Sequence, residues 1–378
     1  NPDNSTNFTS IQDAVDEAAE SDGIDTIEVR AGSYSTVIVD VAGLTLEGPN
    51  AGTSGDSHSD DRAKVNAQVI IEADETVIDG FTVSPPDPVD DTANAEAIRV
   101  SNGADNVVVQ NNIVEDFARN SGDSFFGVDG INLFGGNEND AVENATVRDN
   151  LVQRLQNDVS GGAAGISVQG NVDNPNVDEN VVKNIGQEKT AYGFGVVVRG
   201  TGNHDVTPTG VSITSNDISN VLSDPSSEFF GVGAGVEASG ASEVSFSDND
   251  ISNAELLLED KTATVTLSDF ADSNILDRGA LLEDVDVDDG TRNIIFNRIQ
   301  DAETAAESDA TIEVLNGTYK ESVTIETNGL TLEAADGAEP TIDISADSRA
   351  NIPADNVTVN GFSVVFEGQA AYIRGDNV

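Results

Sequence analysis

Few side chains in this chain are equipped for covalent chemistry. Cys is absent and His occurs only at His58 and His204. Thiolate nucleophiles, thiolate metal sites and multi-histidine centres are therefore excluded. No P-loop, dinucleotide fingerprint or nucleophile elbow is present. What remains is the chemistry of carboxylates, alone or beside a rare cation. Two carboxylates about 5–9.5 Å apart would suit glycoside hydrolysis. A base with a neighbouring cation would suit proton abstraction beside a uronate. Asp284, Asp286 and Asp288 have the alternation of a calcium loop, but Gly290 falls one place late and Ile295 stands where the closing Glu belongs. Acceptor sequons at Asn4, Asn7, Asn144, Asn316 and Asn356 offer glycosylation, which would place the protein outside the cell.

The charge balance narrows the partners. Across 378 residues there are 69 Asp and Glu against 17 Lys and Arg, a formal net charge of −52. A nucleic-acid binder needs a basic face, and anionic lipid would be repelled. No apolar run is long enough to span a membrane in this segment, and no signal peptide is visible. Met is absent even at position 1, so a processed piece of a longer precursor is expected. Dense apolar alternation argues against disorder. The acid instead points to a folded protein in high salt, where self-repulsion is screened. In such a chain a single Asp is by default a solvated surface residue.

The elements that must position any site repeat at two scales. On the short scale, an apolar–polar alternation centred on Asn recurs. Val109-Gln110-Asn111-Asn112-Ile113-Val114 is answered by segments centred on Asn150, Asn180, Asn216 and Asn249, at intervals of 38, 30, 36 and 33 residues. A second motif keeps step with it: Ala97-Ile98-Arg99-Val100, Gly130-Ile131-Asn132-Leu133, Gly165-Ile166-Ser167-Val168, Gly195-Val196-Val197-Val198 and Gly235-Val236-Glu237-Ala238. Strands this short cannot bury a face alone, but stacked in parallel they enclose one core. The recurring Asn suits a bend, since it tolerates the left-handed region, and it can ladder from coil to coil.

On the large scale a module repeats. Ser10-Ile11-Gln12-Asp13-Ala14, Thr26-Ile27-Glu28-Val29 and Gly43-Leu44-Thr45-Leu46-Glu47 return as Arg298-Ile299-Gln300-Asp301-Ala302, Thr311-Ile312-Glu313-Val314 and Gly329-Leu330-Thr331-Leu332-Glu333. Each module should open with a capping helix, with Ser10 as N-cap and Ile11, Ala14, Val15 and Ala18 as its apolar stripe. The expected organisation is a first solenoid with its cap over residues 1–254. A C-terminal finish and joint over 255–297 includes a strand-like Thr262–Leu267. The start of a truncated second solenoid occupies 298–378.

These paired motifs resemble the right-handed parallel β-helix superfamily, pectate-lyase-like and NosD-like, and its haloarchaeal surface-protein branch. The resemblance implies an all-β, right-handed parallel β-helix solenoid with an N-terminal capping helix, followed by the start of a second module. The superfamily spans lyases, hydrolases, epimerases, tail spikes and adhesins, so the fold leaves the function open. In its carbohydrate enzymes the sugar lies along one outer strand face. The outward columns here read Arg99, Asn132, Ser167, Val197, Glu237 and Ser101, Phe134, Gln169, Arg199, Ser239. They offer one acid, Glu237, so a two-carboxylate hydrolase is disfavoured. Arg199, Lys183 and Glu237 are the residues a lyase would use, against the plainer reading of Arg199 in an exposed ion pair. Near-identical loops, Ser124-Phe125-Phe126-Gly127 and Glu228-Phe229-Phe230-Gly231, with Tyr192-Gly193-Phe194, would cover the solenoid flank.

The sequence therefore reads as a non-catalytic extracellular or cell-surface structural or adhesive protein of a halophile. It would self-associate or bind other surface proteins, with polysaccharide as an open partner. No cofactor is expected, and calcium is left open. A polysaccharide lyase or related sugar-active enzyme, and a viral tail spike or receptor-binding fibre, are the alternatives.

Overall fold

A three-residue strand makes too few hydrogen bonds to stand alone. Most strands in the first half of this chain are that short, and each finds its partners in the turns of chain above and below it. The computed structural model describes residues 7–373 except 22, 86–94, 102, 120–126, 138, 158–160, 187–189, 191, 201–205, 224–230, 238–240, 242, 263–264, 288–289, 345–349 and 366–371. Among these residues three parallel sheets wind up side by side over eight coils. The first sheet runs from Thr26–Glu28 to Ser245–Ser247, and the second from Gly32–Tyr34 to Ile275–Leu276. The third, here the long sheet, runs through Val37–Val39, Val69–Ile71, Ala95–Val100, Val128–Gly135, Gly162–Gly170, Tyr192–Arg199, Gly231–Val236 and Leu256–Asp260. This is an all-β parallel β-helix. Its interior is a continuous column of Val, Ile, Leu and Phe, among them Val109, Val147, Val177 and Ile213 in consecutive coils.

The corner between the first and second sheets is held by asparagine. Asn150 Oδ1 accepts from both the backbone N–H and the Nδ2 of Asn112, at 2.9 and 3.1 Å. The same double contact links Asn150 to Asn180, Asn180 to Asn216 and Asn216 to Asn249. It continues to Asn274, which the spacing pattern did not include. Helix α2 (Leu267–Ser273) follows the eighth coil and stands where a ninth strand of the first sheet would lie, so the periodic signal is lost there. The bend itself belongs to the preceding residue, contrary to expectation. Asn111, Asp149, Glu179, Ser215 and Asp248 have φ of 53°, 56°, 55°, 56° and 57°, whereas the ladder Asn residues have negative φ.

The bottom of the stack is capped by helix α1 (Ile11–Glu20). Ser10 Oγ accepts from Asp13 N at 3.3 Å, and Ile11, Ala14, Val15 and Ala18 are buried. Gln12 reaches the first edge of the long sheet. Its Oε1 accepts from Ile38 N at 2.8 Å and its Nε2 donates to Ile38 O at 3.2 Å. One side-chain amide thus stands in for a missing strand. Helix α3 (Ile299–Ala305) repeats the device, with Gln300 pairing to both backbone groups of Thr324. No helix among the described residues is long and apolar enough to cross a membrane.

The stretch expected to form the finish and joint consists largely of strands. Leu256–Asp260 completes the eighth coil in register with Val232–Val236. Of the strand-like Thr262–Leu267, residues 263–264 lie outside the described residues, and Leu267 begins α2. Gly290–Phe296 then adds to the long sheet antiparallel to Leu256–Asp260, and Ala280–Val287 antiparallel to Gly290–Phe296. Thr311–Val314 follows, antiparallel to Ala280–Val287, and Thr331–Ala334 and Thr358–Asn360 continue in parallel. Three antiparallel steps reverse the strand direction. The second stack accordingly uses the other face of the same sheet as its interior. Leu281 and Ile295 pack into the first core, while Ala280, Leu282, Ile294 and Phe296 pack with Ile312, Val314, Leu330 and Leu332.

Candidate functional site

The strands of the long sheet bend once, at a column of glycines. A Cβ on Gly130 would lie 2.6 Å from Gly165 O, one on Gly165 2.6 Å from Gly195 O, and one on Gly195 2.5 Å from Gly233 O. Backbones approach too closely there for any side chain. The bend splits each strand into two arms and yields three outward columns, not two. The first holds Glu96, Asp129, Ala164, Phe194, Val232 and Leu256. The second holds Arg99, Asn132, Ser167, Val197, Gly235 and Glu259, and the third Phe134, Gln169 and Arg199, with Glu237 and Lys261 next in line.

Glu237 thus moves by one column from its expected place. Gly233, not Gly235, occupies the bend, because Val197 pairs with Gly235 and Val198 with Val236. Ser239 lies outside the described residues. The expected association with Lys183 also fails. Lys183 is on the second sheet, between Gln153 and Ser219, while Arg199 and Glu237 are on the long sheet. Nor is Arg199 in an exposed pair. Its Nη2 donates to Asp129 Oδ1 at 2.6 Å, with the two side chains 18% and 1% exposed.

The columns bring together charges that the sequence reading missed. Glu96 and Asp129 are directly paired in adjacent strands, about 4.8 Å apart at the backbone. Glu96 accepts from Asn132 Nδ2 at 2.7 Å and meets Arg99 Nη1 at 3.2 Å. The Arg99 guanidinium lies 4.5 Å over the Phe134 ring. Glu237 pairs with Lys261, and Glu259 Oε1 with Arg292 Nη1 at 2.6 Å. Burial pushes the Glu96 carboxyl above its ordinary range and the Asp129 charge adds to this, against the pull of Arg99 and Asn132. Burial likewise raises Asp129, opposed by Arg199 and Arg99. For Lys261 burial disfavours the ammonium, but Glu237 and Glu259 outweigh it and the net shift is upward. The Gly130 bend was the available signal, since it places Asp129 outward just before the apparent motif begins.

Chemically, two carboxylates side by side on adjacent strands are the kind of pair that glycoside hydrolysis uses. Each carboxylate, however, is tied to an arginine. Toward the top the same face turns apolar: Phe194, Val197, Val232 and Leu256 are buried against the second core. Tyr192 stacks edge-on to Phe194, with ring centroids 5.8 Å apart. Phe125, Phe126, Phe229 and Phe230 lie outside the described residues.

The other expected sites are scattered. Asn7, Asn144, Asn316 and Asn356 are exposed, and Asn4 lies outside the described residues. Asp284 and Asp286 fall in the Ala280–Val287 strand, not in a ligand-wrapping loop, and Asp288 lies outside the described residues. Among the described residues no three His, Asp or Glu side chains are placed to hold a metal ion.

No family model matches the chain, and no curated protein matches its sequence. Solved structures with a similar trace include the A-module of mannuronan C-5 epimerase AlgE4 from Azotobacter vinelandii, at 12% identity and a TM-score of 0.40, covering 96% of this chain and 94% of that one. DFA-IIIase from Arthrobacter chlorophenolicus A6, without its lid, is 12% identical with a TM-score of 0.37 over 97% and 90% of the two chains. The Streptococcus pneumoniae surface adhesin PfbA is 11% identical with a TM-score of 0.28 over 97% and 88%. Likeness at this level carries no argument about function.

Proposed function

We propose that this chain is a non-catalytic structural or adhesive protein of the cell surface or extracellular space in a salt-rich habitat. Its modules would serve in a fibre or layer, through self-association or contact with other surface proteins. The observation that carries this reading is the shared wall: one sheet of thirteen strands runs through both stacks, so the joint is braced, not hinged. The pairing of Glu96, Asp129 and Glu259 with arginines and of Glu237 with Lys261 supports the absence of catalysis, because each carboxylate is already engaged by a side chain of the protein itself. Exposure of the four described sequon asparagines is compatible with glycosylation outside the cell. The test is electron microscopy of native material in molar salt, with glycopeptide mapping at Asn4, Asn7, Asn144, Asn316 and Asn356. Filaments or sheets with occupied sequons are expected. Dispersed, unmodified monomers would overturn the reading, and trimers would favour a viral fibre.

The adjacent carboxyls of Glu96 and Asp129 favour a second reading, a sugar-active enzyme. Incubation with neutral and acidic polysaccharides should then yield reducing ends or unsaturated uronate, lost on Glu96→Gln and Asp129→Asn. A folded protein that releases neither product removes it.

A further inference from the structure

We propose that the outer face of the second sheet, around Lys64, Arg154 and Lys183, docks the exposed face of helix α1 from a second copy of this chain. The proposal rests on the self-association reading above and deepens it by naming the two surfaces that meet. Cations are rare in this chain, 17 against 69 acids, and several gather on this face. Five consecutive strands, from Ala63–Val65 to Val181–Ile185, turn Lys64, Arg154 and Lys183 outward against two carboxylates, Glu115 and Asp116. Arg62 leads into the first of these strands, with exposed Asp60 and Asp61 before it at the border. The two arginines are engaged within the patch. Arg154 meets Asp116 Oδ1 at 2.6 Å and Glu115 Oε2 at 2.7 Å, and Arg62 meets Glu115 Oε1 at 3.2 Å. The two lysines are not. Among the described residues neither Lys64 nor Lys183 makes a hydrogen bond or a contact ion pair. Lys64 acts on Asp116, and Lys183 on Asp217, only through space.

Helix α1 is the complement. Its solvent face holds Asp13, Asp16, Glu17 and Glu20, with no base among them. These acids recur at i, i+3 and i+4, where like charges repel. Glu17 and Glu20 also stand near the negative end of the helix dipole, where a cation is favoured. Gln12 Nε2 and Ser21 Oγ donate to Asp16 and Glu17 at 2.9 Å, but neither brings charge. The helix therefore keeps an acidic ridge that an outside cation would relieve. Ten helical residues span about 15 Å. Lys64 and Lys183 lie four strand steps apart, about 19 Å, a comparable length.

The two surfaces do not overlap. Helix α1 lies across the bottom of the stack and the cations lie on its flank, so one copy can use both at once. A contact between unlike surfaces does not close on itself by two-fold symmetry, and its repetition gives rings or open filaments. Salt sets when it forms. In dilute buffer a net charge of −52 holds copies apart. At molar salt the reach of that repulsion shrinks to about 3 Å, the length of a contact ion pair, so the contact outlasts the repulsion. One helix face on one sheet face is a small interface, which belongs to the weak class and forms at high protein concentration.

The experiment is light scattering of the full chain in molar KCl over a range of protein concentrations, with thermal midpoints as the check on folding. The wild type should gain mass as concentration rises. Lys64→Glu with Lys183→Glu should weaken association about tenfold or more, and so should Glu17→Lys with Glu20→Lys. The milder Lys183→Gln should weaken it about threefold. The midpoint of the helix pair should stay level or rise, since cations suit the last turn. Lys320→Glu, exposed on the second stack, should match the wild type. Mixing the two double variants in equal parts should restore association, because each altered surface then meets one of opposite charge. A wild type that stays monomeric at every concentration overturns the self-association reading together with this docking. Wild-type assembly that the folded variants reproduce, or a mixture that fails to associate, overturns the docking alone and leaves the surface reading standing.

Discussion

Asn180 illustrates how much one side chain can do in a stack. Its Nδ2 donates to Val147 O at 2.8 Å and Asn216 Oδ1 at 3.0 Å, while its Oδ1 accepts from Asn150 N and Nδ2. Asn180→Ala should cost about 3 kcal/mol or more, since several buried groups lose their partners together. Denaturant unfolding at fixed salt measures this. His58 makes the fold sensitive to pH below neutrality. Its Nε2 meets Asn111 O at 2.7 Å, and a carbonyl only accepts, so Nε2 carries the hydrogen. Nδ1 is then a buried acceptor without a partner. Burial holds the imidazole below its ordinary value and Arg62 acts the same way, against Asn111, Thr53 and Asp79. The unfolded chain therefore takes up the proton first. The His58 contribution to stability is intact above a pH of about 6.5 and declines as pH falls below it. Thermal midpoints of the wild type should drop faster than those of His58→Gln between about pH 6.5 and 5, and parallel curves would refute this.

At the scale of elements, two pieces brace the stack from outside. The segment 48–62 leaves the second coil and lies across the asparagine corner, with Gly52 N on Asp79 Oδ1, Gly55 N on Asp149 O and His58 on Asn111 O. It covers Leu151, an outward apolar residue of the fifth coil that is 6% exposed. Helix α1 is the other brace. In Gln12→Ala the N–H and C=O of Ile38 lose their amide partner at an open sheet edge. The expected loss is about 1 kcal/mol in unfolding, because water can replace part of the bonding. The larger effect should be concentration-dependent self-association through the bared edge, read by light scattering. A variant that stays monomeric would show that the helix itself, not the amide, guards the edge.

At the scale of the molecule, charge sets the conditions under which the fold is stable. A net charge of −52 is spread over the outside of a stack whose interior is aliphatic. On the long sheet's outer face Arg99, Arg199, Lys261 and Arg292, four of the 17 basic residues, are matched to acids, so the excess lies elsewhere. The reach of repulsion between exposed charges falls from about 8 Å at physiological ionic strength to about 3 Å at 1 M. Raising KCl from about 0.1 M to molar levels should lift the thermal midpoint by on the order of 10 °C. Circular dichroism melts across that range provide the measurement, and a flat response would refute salt adaptation.

The coils, the asparagine ladder, the capping helix and the repeated module were legible in the residues, because each depends on local alternation and a fixed recurring position. The site was only partly legible. Arg199 stood out as a rare cation, but its partner Asp129 lies seventy residues earlier and two strands away. The two-residue displacement of Glu237 could not be read from Gly233 and Gly235, which look alike in sequence and differ only in which one faces a backbone carbonyl. The turned-over second stack was hidden altogether. Alternation says that successive side chains face opposite ways, but it does not say which way is inside. That choice was made by the number of antiparallel steps through Gly290–Phe296 and Ala280–Val287, pairings between strands that local sequence does not encode.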